Sequence, residues 1–258
     1  MIVNTVIKGG GSAPDSYLEF ENDSGTLVRK VQQIYLTGIT DPGVSFYSLF
    51  NKTPLTADTS ISFNPITTIS QIQACQYMFY GCMLGNNYSL NVDFSSVKTI
   101  SGAQAFQYAF NNISAYTGTG VLSVDFSGLE TISATSVFSS AFKNTSLKQI
   151  SFNKLSSINN QLAPSTSSAA FAGCLNIESV SFGGLKSTTF TTLKTQLQYL
   201  FDSTSGSTAA NGCTVHFPSN FDPSDPNHTF DASTLDGYPT FGGSASYIHL
   251  AYDLPATE

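Results

Sequence analysis

The sequence predicts a right-handed α/β solenoid, with short parallel strands on a concave face, short helical turns on a convex face and a cap at each end. Three observations predict it. First, a β-branched residue, any residue and Phe recur as Ile61-Ser62-Phe63, Val92-Asp93-Phe94, Val124-Asp125-Phe126, Ile150-Ser151-Phe152, Val180-Ser181-Phe182 and Val215-His216-Phe217, at intervals of 31, 32, 26, 30 and 35 residues. Second, Phe50, Phe79, Phe110, Phe142, Phe171 and Phe201 form a ladder in phase with the first, at intervals of 29, 31, 32, 29 and 30. Third, the 258 residues are 41% hydrophobic but only 10% charged, with twenty Phe and no Trp. An ordinary domain is about 25% charged. A repeating unit this short cannot bury its apolar face alone, so the copies must stack.

Residues 1–33 are expected to form an N-terminal cap. Tyr17–Glu21 and Thr26–Val31 read as the two strands of a β-hairpin, with Asp23-Ser24-Gly25 as its turn. Residues 34–217 are expected to form the solenoid, of six to seven repeats of about 30 residues. Ile34-Tyr35-Leu36 is a weaker first copy of the triplet. Within a repeat, Leu90-Asn91-Val92-Asp93-Phe94 alternates apolar and polar, which predicts a strand with one buried face. Phe106 with Phe110, and Phe138 with Phe142, pair apolar side chains at i and i+4. That spacing predicts one helical turn with a buried stripe. Between them, Val97 and Ile100, Leu129 and Ile132, and Leu155 and Ile158 are expected to turn the chain. Each buried ladder Phe contributes about 1.5–3 kcal/mol.

The stretches VDFSSVKTISGAQAFQYAF, VDFSGLETISATSVFSSAF and SAAFAGCLNIESVSFGGL resemble the leucine-rich repeats of BspA-type bacterial surface proteins, also called Treponema-type repeats. ACQYMFYGC and GCTVHFPSN look like longer-period versions from gut bacteria and their phages. The resemblance covers roughly residues 34–217 and implies a leucine-rich-repeat superhelix at a bacterial cell surface, in the extracellular space or on a phage particle. The repeats here are longer than usual for that family, and Phe, Val and Ile replace most leucines. A longer repeat implies a fuller convex side.

Residues 218–258 are expected to form an acidic, loop-rich C-terminal cap. They carry Asp222, Asp225, Asp231, Asp236, Asp253 and Glu258 with no Lys or Arg, and five of the ten prolines. Tyr247–Tyr252 alternates like a strand. The first nine residues have no basic region ahead of a long apolar one, so no export signal is expected there.

The net charge of −7 disfavours nucleic acid as a partner. No apolar run approaches the roughly 18 residues of a membrane span, so no membrane insertion is expected. No nucleophile elbow, P-loop or G-x-G-x-x-G is present, so no cofactor is expected.

The polar residues between buried ones point outward along the strands. Tyr35, Ser62, Asn91, Asp93, Ser123, Asp125, Gln149, Ser151, Ser181 and His216 are therefore the expected partner-binding residues of the concave face. They are mostly small and lose little side-chain entropy on binding. Asp93 and Asp125 hold equivalent positions in consecutive repeats, on strands about 4.8 Å apart. Two solvated acids copied with the repeat are the plain reading. A calcium site with Asn91 and a retaining glycosidase pair are the functional ones. Cys75, Cys82, Cys174 and Cys213 show no zinc spacing and read as buried free thiols. Tyr77, Tyr80, Tyr88, Tyr108 and Tyr116 fall on the convex or loop side. The expected function is non-enzymatic recognition or adhesion, binding a protein or a glycan through the concave face. The alternative is a structural component of a phage particle or bacterial surface layer. A carboxylate-pair glycosidase ranks behind both.

Overall fold

The computed structural model describes residues 22–23, 26–27, 40–43, 46–52, 58–82, 88–113, 120–186, 197, 199–201, 212–222, 224 and 248–257. Its strands in chain order are β1 (Asn22–Asp23), β2 (Thr26–Leu27), β3 (Thr59–Ser62), β4 (Thr68–Ile69), β5 (Leu90–Asp93), β6 (Thr99–Ile100), β7 (Leu122–Asp125), β8 (Thr131–Ile132), β9 (Gln149–Ser151), β10 (Ser157–Ile158), β11 (Ser179–Ser181), β12 (Cys213–Pro218) and β13 (Ile248–Leu254). The chain is a parallel-strand solenoid with four complete turns, each starting at β3, β5, β7 or β9. It has three walls.

The first wall holds the strands found from the apolar triplets. β3, β5 and β7 pair in parallel, as do β9, β11, β12 and β13. Ile61, Val92 and Val124 lie in one register row, and Val215, Val180 and Ile150 in another. The alternation works as the sequence predicts: Leu90, Val92 and Phe94 are buried while Asn91 is exposed. No ladder joins β7 to β9 among the described residues. The repeat is shortest there, and the ring spacing widens from 5.3 Å at Phe94–Phe126 to 6.0 Å at Phe126–Phe152.

A tight turn leads to the second wall. The N–H groups of Ile66, Val97, Leu129 and Leu155 donate to the carbonyls of Phe63, Phe94, Phe126 and Phe152, three residues back. The coils sit so close that a Cβ on Gly128 would lie 1.8 Å from the Ser95 carbonyl oxygen. The two-residue strands β4, β6, β8 and β10 then form a second parallel sheet. The segments expected only to turn the chain are therefore hydrogen-bonded strands. Ile69, Ile100, Ile132 and Ile158 from this wall complete the buried core.

The third wall corrects the helical reading. Residues 71–82, 102–113 and 134–145 are ribbons of successive turns, not helices. Every fourth residue has positive φ: Gln73, Tyr77 and Gly81, then Gln104, Tyr108 and Asn112, then Ser136, Ser140 and Asn144. Half of the amides bond within the ribbon, as Gln107 N–H to Gln104 O and Ala109 N–H to Phe106 O. The other half cross to the next coil, as Phe106 to Val137, Tyr108 to Ser139 and Phe110 to Ala141.

The physical reason is coil spacing. Strands set it at about 4.8 Å, whereas helices need about 8–10 Å between axes. A leucine-rich repeat reconciles the two by splaying its convex side. Here the ribbon matches the strand spacing instead. It accepts a left-handed conformation, costing roughly 1–2 kcal/mol at each non-Gly position, and gains a bond to the next coil at alternate amides. The second and third walls are bonded coil to coil, and the first is too except between β7 and β9, so the helical convex side expected from the repeats is replaced by a hydrogen-bonded ribbon.

The ladder Phe side chains still face inward as the sequence predicts. Phe79, Phe110, Phe142 and Phe171 stack at 5.3–5.4 Å from this wall, with Phe63, Phe94, Phe126, Phe152 and Phe182 facing them from the first. All four cysteines are free and buried, as expected. Cys82 and Cys174, at equivalent positions, donate their thiols to the carbonyls of Phe50 and Phe142 in the preceding coils.

Near the N-terminus β1 and β2 pair antiparallel, within the expected hairpin. The rest of that hairpin, and most of the acidic C-terminal segment, lie outside the described residues. β13 overlaps the predicted 247–252 strand and runs two residues past it, to Leu254. It extends the first wall beside β12, and Asn220 and Thr257 fasten its end with reciprocal hydrogen bonds of 3.1 and 3.2 Å. No helix of the described residues is long and apolar enough to cross a membrane.

Candidate functional site

Strand alternation and parallel register build the site on the first wall. β3 presents Ser60 and Ser62, β5 presents Asn91 and Asp93, and β7 presents Ser123 and Asp125. The register places Ser62, Asp93 and Asp125 in one row and Ser60, Asn91 and Ser123 in the next. Together these two rows line an open groove of about 400 Å³, floored by Ile61 and Val92. Five of the predicted binding residues, Ser62, Asn91, Asp93, Ser123 and Asp125, line the groove. Ser60 belongs with them. Its signal was the same alternation, one step earlier on β3.

The two carboxylates differ. Asp93 accepts a hydrogen bond from the Ser62 hydroxyl at 2.8 Å and from the Ser95 N–H at 2.8 Å, one on each oxygen. Partial burial pushes its carboxyl up, but the hydrogen bonds from the Ser95 hydroxyl and N–H and from Ser62 outweigh this and hold it below its ordinary value. Asp125 is exposed and accepts a bond from the Ser127 N–H at 2.7 Å. Asn91 reaches Ser60 at 3.4 Å. The groove is thus a row of hydroxyl, amide and carboxylate groups with one carboxylate pre-organised in its charged form.

That arrangement sets limits on chemistry. A general acid for glycoside cleavage needs a raised carboxyl, and Asp93 is shifted the other way. Among the described residues, no three His, Cys, Asp or Glu side chains gather as metal ligands. The groove presents hydroxyl, amide and carboxylate groups as hydrogen-bond donors and acceptors.

The remaining predicted residues lie beyond the β7–β9 break. Gln149 and Ser151 are on β9, Ser181 on β11 and His216 on β12, with Ser151, Ser181 and His216 in one row. They share one sheet, and among the described residues no ladder joins it to the Asp93–Asp125 half. His216 Nδ1 lies 2.8 and 2.9 Å from the two carboxylate oxygens of Asp253 on β13. Nothing in the sequence announced that contact, because the two residues are 37 positions apart. Tyr35 lies outside the described residues.

No family model, no curated protein and no solved structure matches this chain.

Proposed function

We propose that the chain is a non-enzymatic recognition module that binds a protein or glycan partner through the outward face of its first wall. The observation that carries this is the groove over β3, β5 and β7. It is lined by short polar side chains in strict register, with Asp93 held by hydrogen bonds from the Ser62 hydroxyl and the Ser95 N–H and Asp125 exposed to a donor. Fixed, low-entropy polar groups reduce the ordering cost of binding. The resemblance of the repeats to BspA-type surface proteins agrees with this role. In this reading the chain works at a bacterial cell surface or on a phage particle.

A screen of the purified protein against glycan and protein arrays tests the proposal, with the Asp93→Lys/Asp125→Lys double variant beside the wild type. A hit lost in the variant is the expected result. A hit that survives both substitutions places binding elsewhere. No hit at high concentration, together with ordered self-assembly, makes the chain a structural component instead.

A further inference from the structure

We infer that the third wall carries a second binding surface, for an uncharged carbohydrate chain running along the solenoid axis. The surface is the exposed side of the turn ribbons at 71–82 and 102–113, with Tyr47 from the coil before. Tyr77 and Tyr108 stack face to face at 5.1 Å with 7° between their planes. Tyr47 and Tyr80 stand nearly perpendicular to that stack, 6.1 and 5.5 Å from Tyr77. Tyr47 is 49% exposed. Burial, then the neighbouring Tyr108, Tyr47 and Tyr80, push the Tyr77 hydroxyl up, so it stays a neutral donor.

Three features point to a sugar polymer. Tyr77 and Tyr108 occupy left-handed backbone positions, with φ of 55° and 56°. The equivalent positions in the flanking coils are Ser48 and Ser140, small residues that bear this conformation more easily. The ribbon requires positive φ at these positions, but a small residue meets that requirement with less strain, so the aromatic side chains at Tyr77 and Tyr108 are not what the backbone demands. The ribbons are also neutral, since residues 71–82 and 102–113 contain no Asp, Glu, Lys or Arg. That disfavours nucleic acids, anionic membranes and charged protein faces.

Planar amides flank the rings, in the same register. Gln73 donates to Gln104 at 3.0 Å, and Gln76 donates to Gln107. Each bond leaves the amide nitrogen of Gln104 or Gln107 without a partner among the described residues. Aromatic bodies with hydroxyl tips and planar amides match a pyranose, which offers C–H faces and hydroxyls. Two glutamines and a tyrosine recur in both coils 31 residues apart, as Gln73, Gln76 and Tyr77 and then Gln104, Gln107 and Tyr108, while Asn111 stands where the first coil has Tyr80; the recurring set fits a ligand that itself repeats. The patch ends at the next coil, where Ser139 and Ser140 are buried.

Affinity electrophoresis through gels containing soluble neutral β-glucan, xylan, mannan or starch tests this. The variants are Tyr77→Ser/Tyr108→Ser, copying the flanking coils, and Asp93→Lys/Asp125→Lys on the other wall. Thermal melting confirms that each is folded. The expected result is retardation by at least one polysaccharide, weakened at least tenfold by the tyrosine pair and unchanged by the aspartate pair. The inference is overturned if no polysaccharide retards the wild type, or if the tyrosine variant is retarded equally. It is also overturned if only the aspartate pair abolishes retardation, which would put the glycan on the first wall. Loss of a protein ligand in the tyrosine variant, without any polysaccharide effect, would assign the patch to a protein.

Discussion

Phe110→Ala is the substitution that probes the core most sharply. The side chain is fully buried, with Phe79 stacked at 5.4 Å and 11° on one side and Phe142 at 5.3 Å and 2° on the other. Truncating a buried Phe costs about 3–5 kcal/mol. Each stacked pair is worth about 0.5–1.5 kcal/mol beyond burial, and two pairs are lost. The expected cost is therefore in the upper half, about 4–5 kcal/mol. At about 2–4 °C per kcal/mol for a domain of this size, the melting temperature should fall by roughly 8–20 °C. Urea unfolding followed by circular dichroism measures the loss, and Phe110→Leu apportions it. Leucine keeps most of the burial and loses both stacks, so about 1–3 kcal/mol is expected. A fall in the denaturant slope would show the two halves of the solenoid unfolding separately. A loss under about 1.5 kcal/mol for Phe110→Ala, with the slope unchanged, would refute the continuous aromatic spine.

Further outcomes follow from the same geometry. Ser136→Gly should be neutral or stabilise by up to about 1 kcal/mol, because φ is 57° there and glycine relieves the left-handed strain. In a helix the same change would cost several tenths of a kcal/mol, so thermal melting separates the two. The four thiols should resist a disulfide reagent at pH 8 until denaturant is added. Burial, reinforced by the nearby Cys174, pushes the Cys213 thiol up to about 12, and all four side chains are buried. The Asp93 carboxyl is lower in the folded than in the unfolded chain, so its contribution to stability is present at neutral pH. It is lost as pH falls below the unfolded value, about 3.9, toward the lower folded one. Asp93→Asn should flatten the acid limb of a stability–pH profile, and an unchanged limb would count against the Ser62 and Ser95 hydrogen bonds.

The first wall was legible because a strand of four residues with alternating burial leaves a period of two, and Phe at its end marks each copy. The register of Ser62, Asp93 and Asp125 followed from that alone. The second wall was not legible. Two-residue strands such as Thr99–Ile100 are too short to show any period, and they exist because the neighbouring coil supplies their partners. The third wall was misread for a specific reason. Phe106 and Phe110 are four apart both on a helix and on a ribbon that repeats every four residues. The distinguishing signal was the residues at the same phase, Gly81, Asn112, Asn144 and Gly173, which are glycine or asparagine and tolerate positive φ. Contacts such as His216–Asp253 depend on where β13 docks, which local sequence does not encode.

The ribbon is the central structural claim, since it matches the strand spacing and carries the tyrosine patch. Through-hydrogen-bond scalar coupling at the Phe110 amide nitrogen, in deuterated and isotope-labelled protein, tests it directly. The structure places that N–H on the Ala141 carbonyl at 2.8 Å. A coupling to the Ala141 carbonyl carbon, one coil away, is the result expected here. A coupling to the Phe106 carbonyl carbon, four residues back, would make this wall a helix and contradict the account.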